Sequence, residues 1–93
     1  METQHVRYFL AICDELSFTR AAQKCGIRQP TLSEAIKQME EAIGGELFVR
    51  ASPVRLTALG FRLQPICVQI NELLEHVHAM AASIEEPTSS LVQ

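Results

Sequence analysis

Residues 18–37, FTRAAQKCGIRQPTLSEAIK, decide the fold of this chain. They predict two short helices joined by a tight turn, because Gly26 can adopt a positive φ at low cost and Ala22 is small enough to lie where two helices cross. Leu32 and Ile36 repeat at the spacing of one helical face, which places polar residues on the opposite face. The combination is typical of a helix-turn-helix. For this stretch alone, the alternative is an ordinary helical hairpin with a solvated polar face.

The residues on both sides extend the pattern to three helices. Residues 4–16 carry apolar side chains at helical spacing and predict a first helix. Ser17 and Thr19 are both suitable N-caps for the second helix. Pro30 is tolerated in the first turn of the third helix, where its missing N–H would have no intrahelical partner. Gly44 and its neighbour Gly45 should end that helix.

A short hairpin is predicted directly after the third helix. Residues 47–50 and 54–57 are β-prone and flank a turn that contains proline. A winged helix-turn-helix has its wing at this point, here at about residues 46–57. Arg50 and Arg55 lie on the predicted wing, where arginines can bind phosphate or enter a minor groove. A surface hairpin with solvated arginines is the alternative.

A long helix is expected to begin after the N-cap Thr57 and to end at about Glu86, with residues 87–93 as a hinge or disordered tail. Apolar residues recur through residues 59–86 at alternating spacings of four and three, which is a heptad pattern. A 93-residue monomer cannot cover such a helix along its length, so the pattern predicts a homodimer. Packing against the chain's own domain is the alternative. The predicted dimer-interface residues are Leu59, Leu63, Ile66, Ile70, Leu73, Val77, Met80 and Ile84.

Charge is distributed unevenly along the chain, although its formal net charge is −3. All eight Lys and Arg residues lie within residues 1–62, which hold seven acids, whereas residues 63–93 hold four acids and no base. Residues 20–37 carry four bases against Glu34, and residues 50–62 carry three bases and no acid. Affinity for nucleic acid comes from Lys and Arg that displace counterions from phosphates. The two basic patches therefore favour double-stranded DNA as a partner.

Several other classes of protein are disfavoured. The three cysteines are scattered along the chain without a CxxC pair, which suits a reducing cytoplasm. The sequence shows no leader and no apolar run of membrane-spanning length. His76 and His78 lie about 200° apart on a helix and cannot share a metal ion. Glu40-Glu41 and Glu85-Glu86 are interpreted as solvated helix faces. We therefore expect a soluble intracellular protein without membrane contact, catalytic residues, metal or cofactor.

Three sequence strings together carry a family resemblance: SFTRAA at 17–22, QPTLS at 29–33 and GGELFVR at 44–50. With LTALG at 56–60, they resemble the N-terminal DNA-binding region of LysR-type bacterial transcriptional regulators over roughly residues 6–60. The resemblance implies a mainly α fold, with a winged helix-turn-helix of three helices and a short β-hairpin wing over residues 1–58. A long dimerising linker helix then follows over residues 59–86.

The resemblance also implies partners and a cellular place. Members of the family bind interrupted inverted repeats in promoters, dimerise by antiparallel pairing of linker helices and usually assemble into tetramers. We expect the family's effector-binding domain to be absent from this chain, so that a small-molecule effector would act only through that missing part. The expected location is the bacterial cytoplasm, at the nucleoid. A helical oligomerisation or adaptor module without DNA binding is the rival interpretation. It would explain the acidic net charge and the heptad helix equally well.

The candidate DNA contacts come from the resemblance and from the residues themselves. By position, Gln29, Pro30, Thr31 and Ser33 match the recognition-helix contacts, Ser17, Thr19 and Arg20 match the start of the second helix, and Arg50 matches the wing. The charged and polar residues nearby add Arg28, Glu34, Lys37 and Arg55.

This chain departs from the family pattern at four places. Arg28 replaces a usual serine N-cap. The wing is one residue short and lacks a second arginine before Pro53, which leaves Arg55 as the second wing arginine. Glu34 and Ala35 occupy positions where arginine and glutamine are frequent. The Glu34 carboxylate could instead accept a hydrogen bond from N4 of cytosine.

Overall fold

The computed structural model describes the backbone of residues 1–91 and the side chains of residues 1–84. Within that part, the chain forms four helices and a two-stranded antiparallel hairpin, in which Phe48 pairs with Leu56 and Val49 pairs with Arg55. The mainly α architecture predicted from the sequence is confirmed. The elements are α1 (Thr3–Glu15), α2 (Phe18–Cys25), α3 (Gln29–Ile43), β1 (Phe48–Val49), β2 (Arg55–Leu56) and α4 (Ala58–Leu91).

Local capping explains where the first three helices begin and end. Ser17, and not Thr19, is the N-cap of α2, because its side chain accepts a hydrogen bond from the backbone N–H of Arg20 at 3.1 Å. Gly26 ends α2 with φ 71°, and Gly44 ends α3 with φ 94°. Both glycines occupy the left-handed region, as the sequence predicted.

The core lies between α1, α3 and the hairpin. Ile36 of α3 and Phe9 of α1 are completely buried within it. Phe48 of β1 places its ring centroid 5.3 Å from that of Phe9 and 5.8 Å from that of Phe18. These contacts bury one side of the hairpin in the core, so the wing is a fixed part of the domain.

Helix α4 begins at Ala58, where Thr57 caps it by accepting a hydrogen bond from the Gly60 N–H at 3.0 Å. The prediction that it ends at about Glu86 is wrong, because the helix continues through Pro87 to Leu91. A proline inside a helix removes one backbone hydrogen bond, and here that loss does not end the helix. The last two residues of the predicted tail, 92 and 93, lie outside the described residues. No helix in the described part is long and apolar enough to cross a bilayer.

The predicted heptad face of α4 divides into two. Cys67 is fully buried, and Leu63 and Ile70 pack beside it against the chain's own core. Leu63 and Ile70 were predicted as dimer contacts; they are partly buried on the side of α4 that lies against α1, and their place in a dimer interface stays a prediction. The other predicted interface residues are exposed, namely Leu59, Ile66, Leu73, Val77, Met80 and Ile84.

Candidate nucleic-acid interface

The predicted contact residues lie on three consecutive elements, the start of α2, helix α3 and the wing. We call them the α2–α3–wing surface. Ser17 and Ser33 are half-buried and the other ten are exposed, so none is used in the core. The twelve residues are Ser17, Thr19, Arg20, Arg28, Gln29, Pro30, Thr31, Ser33, Glu34, Lys37, Arg50 and Arg55.

Helix α3 presents its first turn outward. Arg28 occupies the N-cap position in an extended conformation without a side-chain capping bond, and Pro30 is the second helical residue. The Gln29 side-chain amide donates a hydrogen bond to the Ser33 hydroxyl at 3.0 Å, which aligns two predicted base contacts along one edge of the helix. A helix N-terminus also carries unpaired N–H groups and a partial positive charge that favour phosphate. The first turn of α3 can thus contact both backbone and base edges.

Basic residues of α2 are paired with acids at the end of α1. Arg20 donates through Nη2 to the Glu15 carbonyl at 2.8 Å, and its Nε lies 3.4 Å from the Glu15 carboxylate. Lys24 Nζ lies 3.1 Å from the Asp14 carboxylate, and this hydrogen bond raises the pKa of the Lys24 ammonium. Arg20, one of the predicted DNA contacts, is therefore held by Glu15 in the free protein.

Arg50 on the wing is held by two residues that sequence reasoning did not assign to the site. Its guanidinium lies 4.2 Å from the ring centroid of Phe18, and its Nη2 lies 3.7 Å from Glu40 Oε1. The second Glu40 oxygen accepts a hydrogen bond from the Leu47 N–H at 2.8 Å. The interpretation of Glu40 as part of a solvated face is wrong, since its side chain is only 14% exposed. The spacing of ten positions between Glu40 and Arg50 follows no local rule, so no sequence signal identified the pair.

A groove joins residues that the sequence analysis selected for separate reasons. It has a volume of about 340 Å³, and Ser17 of the α2 cap, Gln29 of α3 and Arg50 of the wing all line it. Arg55 does not line this groove; it lies on β2 opposite Val49. The fold therefore brings the α2 start, the α3 start and the wing base around one concave surface, with the second wing arginine apart from it.

The cysteines lie outside this surface. Burial is the main cause that raises the pKa of the Cys13 thiol to about 12, and burial also raises the pKa of Cys67. Both thiols remain protonated at neutral pH, and Cys67 is buried whereas Cys13 is half-buried, which agrees with their interpretation as small apolar residues. Within the described residues, no group of three His, Cys, Asp or Glu side chains is arranged to hold a metal ion.

Comparison with known proteins shows the family to which this chain belongs. Residues 3–61 match the family model described as bacterial regulatory helix-turn-helix protein, lysR family. The small neutral protease regulatory protein of Streptomyces coelicolor is 39% identical over 88 residues, covering 88% of this chain and 26% of that protein. The HTH-type transcriptional regulator BenM of Acinetobacter baylyi is 38% identical over 90 residues, covering 92% of this chain and 30% of that protein. The chain thus spans about a quarter to a third of these relatives.

Solved structures show the same fold. The crystal structure of a BenM_DBD/catB site 1 DNA complex has a TM-score of 0.85 at 37% identity, covering 91% of this chain and 97% of that chain. Full-length BenM has a TM-score of 0.80 at 36% identity, covering 88% of this chain and 27% of that chain. In both structures, the matched part covers nearly the whole of the present chain.

Proposed function

We propose that this chain is the DNA-binding part of a sequence-specific transcription regulator, because it belongs to the lysR family of bacterial regulatory helix-turn-helix proteins. It binds inverted repeats in promoters as a dimer or tetramer, with α3 in the major groove and the wing near the minor groove. The twelve residues of the α2–α3–wing surface make the contacts. The observation that carries this proposal is the groove at which Ser17, Gln29 and Arg50 meet.

Each part of the groove has a defined task. Gln29 can read a base edge with its side-chain amide, whereas Arg50 supplies a guanidinium suited to phosphate. Phe18 and Glu40 hold that guanidinium, so little conformational freedom remains for Arg50 to lose on binding. The Ser17 hydroxyl accepts the α2 capping hydrogen bond and can still donate its O–H, which suits a contact with a DNA phosphate rather than with a base edge.

Dimerisation uses the exposed apolar stripe of α4. At 100° per residue, its members fall within an arc of about 60° on the helix, beside the side that packs against the domain. An apolar stripe of that length is a typical interaction surface. The stripe consists of Leu59, Ile66, Leu73, Val77, Met80 and Ile84. Pairing of two chains along it gives two copies of α3, one for each half of an inverted repeat.

The remaining assignments follow from the family. The protein acts in the bacterial cytoplasm at the nucleoid and performs no catalysis of its own. We place effector binding and tetramer formation in a longer protein, of which this chain would be the DNA-binding part.

Fluorescence anisotropy with promoter-proximal DNA from beside the protein's own gene and a shuffled control, at several salt concentrations, tests this function. We expect tighter binding to the native DNA and a negative slope of log affinity against log salt. Arg50→Ala should weaken binding to both DNAs and reduce the slope by about 1. Gln29→Ala should relax sequence preference by about 1–3 kcal/mol.

Arg7→Ala removes the same charge from α1, outside the α2–α3–wing surface, and is the matched control. It should leave the salt slope close to that of the wild type. Salt-insensitive association, or none at low salt, would contradict the DNA-binding proposal and favour the adaptor module. Equal loss of affinity in the two arginine variants would contradict the assignment of Arg50.

A further inference from the structure

We infer that Glu34 selects cytosine at one position of each half-site, by accepting a hydrogen bond from the base's N4 amino group. The inference rests on the proposed DNA-binding function and adds a base preference to it.

The position of Glu34 on α3 supports a direct contact with base edges. The buried side of α3 is formed by Leu32, Ile36 and Met39, all of them completely buried. At 100° per residue, Glu34 lies about 160° from Ile36 around the helix. It is exposed and lies one turn from Gln29 and Pro30. Its carboxylate therefore lies on the exposed side of α3, where Glu34 lines a cleft with Pro30 of the first turn and Tyr8 of α1.

Glu34 has no cationic partner among the described side chains, which is also true of Glu41 further along α3. Glu15 and Asp14 are paired with Arg20 and Lys24, and Glu40 is paired with Arg50. Among the described side chains, no Lys, Arg or His nitrogen lies within 4.0 Å of the Glu34 carboxylate. A carboxylate with no cation to offset it would be repelled by phosphates and by base acceptors. It needs a hydrogen-bond donor on the DNA.

The major groove limits which donor can serve. An ionised carboxylate only accepts hydrogen bonds, and the exocyclic amines of cytosine and adenine are the donors available there. Adenine places its N7 acceptor beside the amine, where it would face the second carboxylate oxygen. Cytosine has no acceptor in the major groove. The chemistry of Glu34 thus favours cytosine over adenine, and either of these over guanine and thymine.

Selection from a duplex library tests this inference. The library carries an inverted repeat with randomised half-sites, and the bound fraction is sequenced for the wild-type chain, Glu34→Ala and Glu34→Gln. The wild type should enrich cytosine about tenfold over guanine and thymine at one position per half-site. Glu34→Ala should lose that enrichment and keep the preferences at the other positions. Glu34→Gln should move the preference to adenine, because a glutamine amide can bond both N6 and N7.

Glu41→Gln is the matched control. It removes one exposed acid from the same face of α3, about 10 Å further along the helix axis, and should leave the cytosine preference unchanged. Circular dichroism checks that each variant keeps its helices. An unchanged profile in Glu34→Ala, or a wild-type preference for any base other than cytosine at the Glu34-dependent position, would overturn the inference and leave the proposed function intact. A wild-type chain that enriches no sequence at all would overturn both.

Discussion

Helix α3 and the distal half of α4 show the same alternation of apolar residues at spacings of four and three, yet they bury those residues very differently. Leu32 and Ile36 of α3 are 0% exposed, whereas Leu73 and Val77 of α4 are 66% and 51% exposed. The difference shows that periodicity identifies the apolar side of a helix but does not identify what covers it. In α3 the cover is the rest of the domain, whereas for distal α4 we propose that it is a second copy of the chain.

The largest expected effect lies in the closed core. Phe9→Ala should lower the free energy of unfolding by about 3–5 kcal/mol, because it leaves a cavity beside Phe48. Phe61→Ala on α4 is the control, since Phe61 is 70% exposed and should cost less than about 0.5 kcal/mol. Urea denaturation followed by circular dichroism measures both. Similar losses in the two variants would show that Phe61 is also covered.

The next effect concerns the exposed stripe of α4. Leu73→Asp should raise the dimer dissociation constant at least 30-fold, or about 2 kcal/mol, because it places an unpaired charge in an apolar interface. Its monomer should remain folded. Ile70→Asp should differ, because Ile70 packs against the chain's own core, so that the fold itself is destabilised. Sedimentation velocity and thermal melting distinguish the two results, and an intact Leu73→Asp dimer would place the interface elsewhere.

A smaller effect is expected where α4 joins the core. Gly60→Ala should cost about 1–3 kcal/mol, because a Cβ at Gly60 would collide with the backbone carbonyl of Leu47. Gly45→Ala is the control, since a Cβ there would meet only the end of the flexible Leu59 side chain. Differential scanning calorimetry should show a clearly lower Tm for the first variant only. Equal melting temperatures would mean that α4 can shift away from the hairpin at little cost.

The smallest effects come from the helix caps of the two regions. Ser17→Ala removes one capping bond of α2 and should cost about 1 kcal/mol. Thr57→Ala should cost about 1 kcal/mol more, because the Thr57 hydroxyl accepts from the Gly60 N–H and also donates to the Glu46 carbonyl at 2.6 Å. Chemical denaturation resolves this difference. The reverse order would show that the cap of α4 is less important to the domain than that of α2.

Features governed by local rules were predictable from the sequence. Gly26 and Gly44 end helices because the left-handed conformation at a helix C-terminus favours glycine. Ser17 and Thr57 cap helices by accepting hydrogen bonds from the N–H groups three positions later. The same locality explains why the outward face of α3 could be assigned to a candidate interface. These features need only the spacing of neighbouring residues.

Features that depend on tertiary placement were not predictable. Leu63 and Ile70 belong to the same heptad pattern as Leu73, and only the position of α1 decides that they face the domain. The contact of Arg50 with Phe18 and Glu40 joins three elements that are distant in sequence. The sequence pattern identifies Arg50 as a candidate DNA contact but does not identify the residues that hold its guanidinium.

The close approach of Gly60 to the Leu47 carbonyl gives α4 a mechanical role. Helix α4 has 34 residues and is about 50 Å long, and its first turns are fixed against the hairpin that also carries the wing. It therefore has the geometry of a lever, in which a tilt of about 5° at Gly60 would displace the distal end by about 4 Å. In a dimer joined along α4, that tilt would change the distance between the two copies of α3. Gly60, which lies outside the α2–α3–wing surface and outside the exposed stripe, would thereby help to set the operator spacing that the protein tolerates.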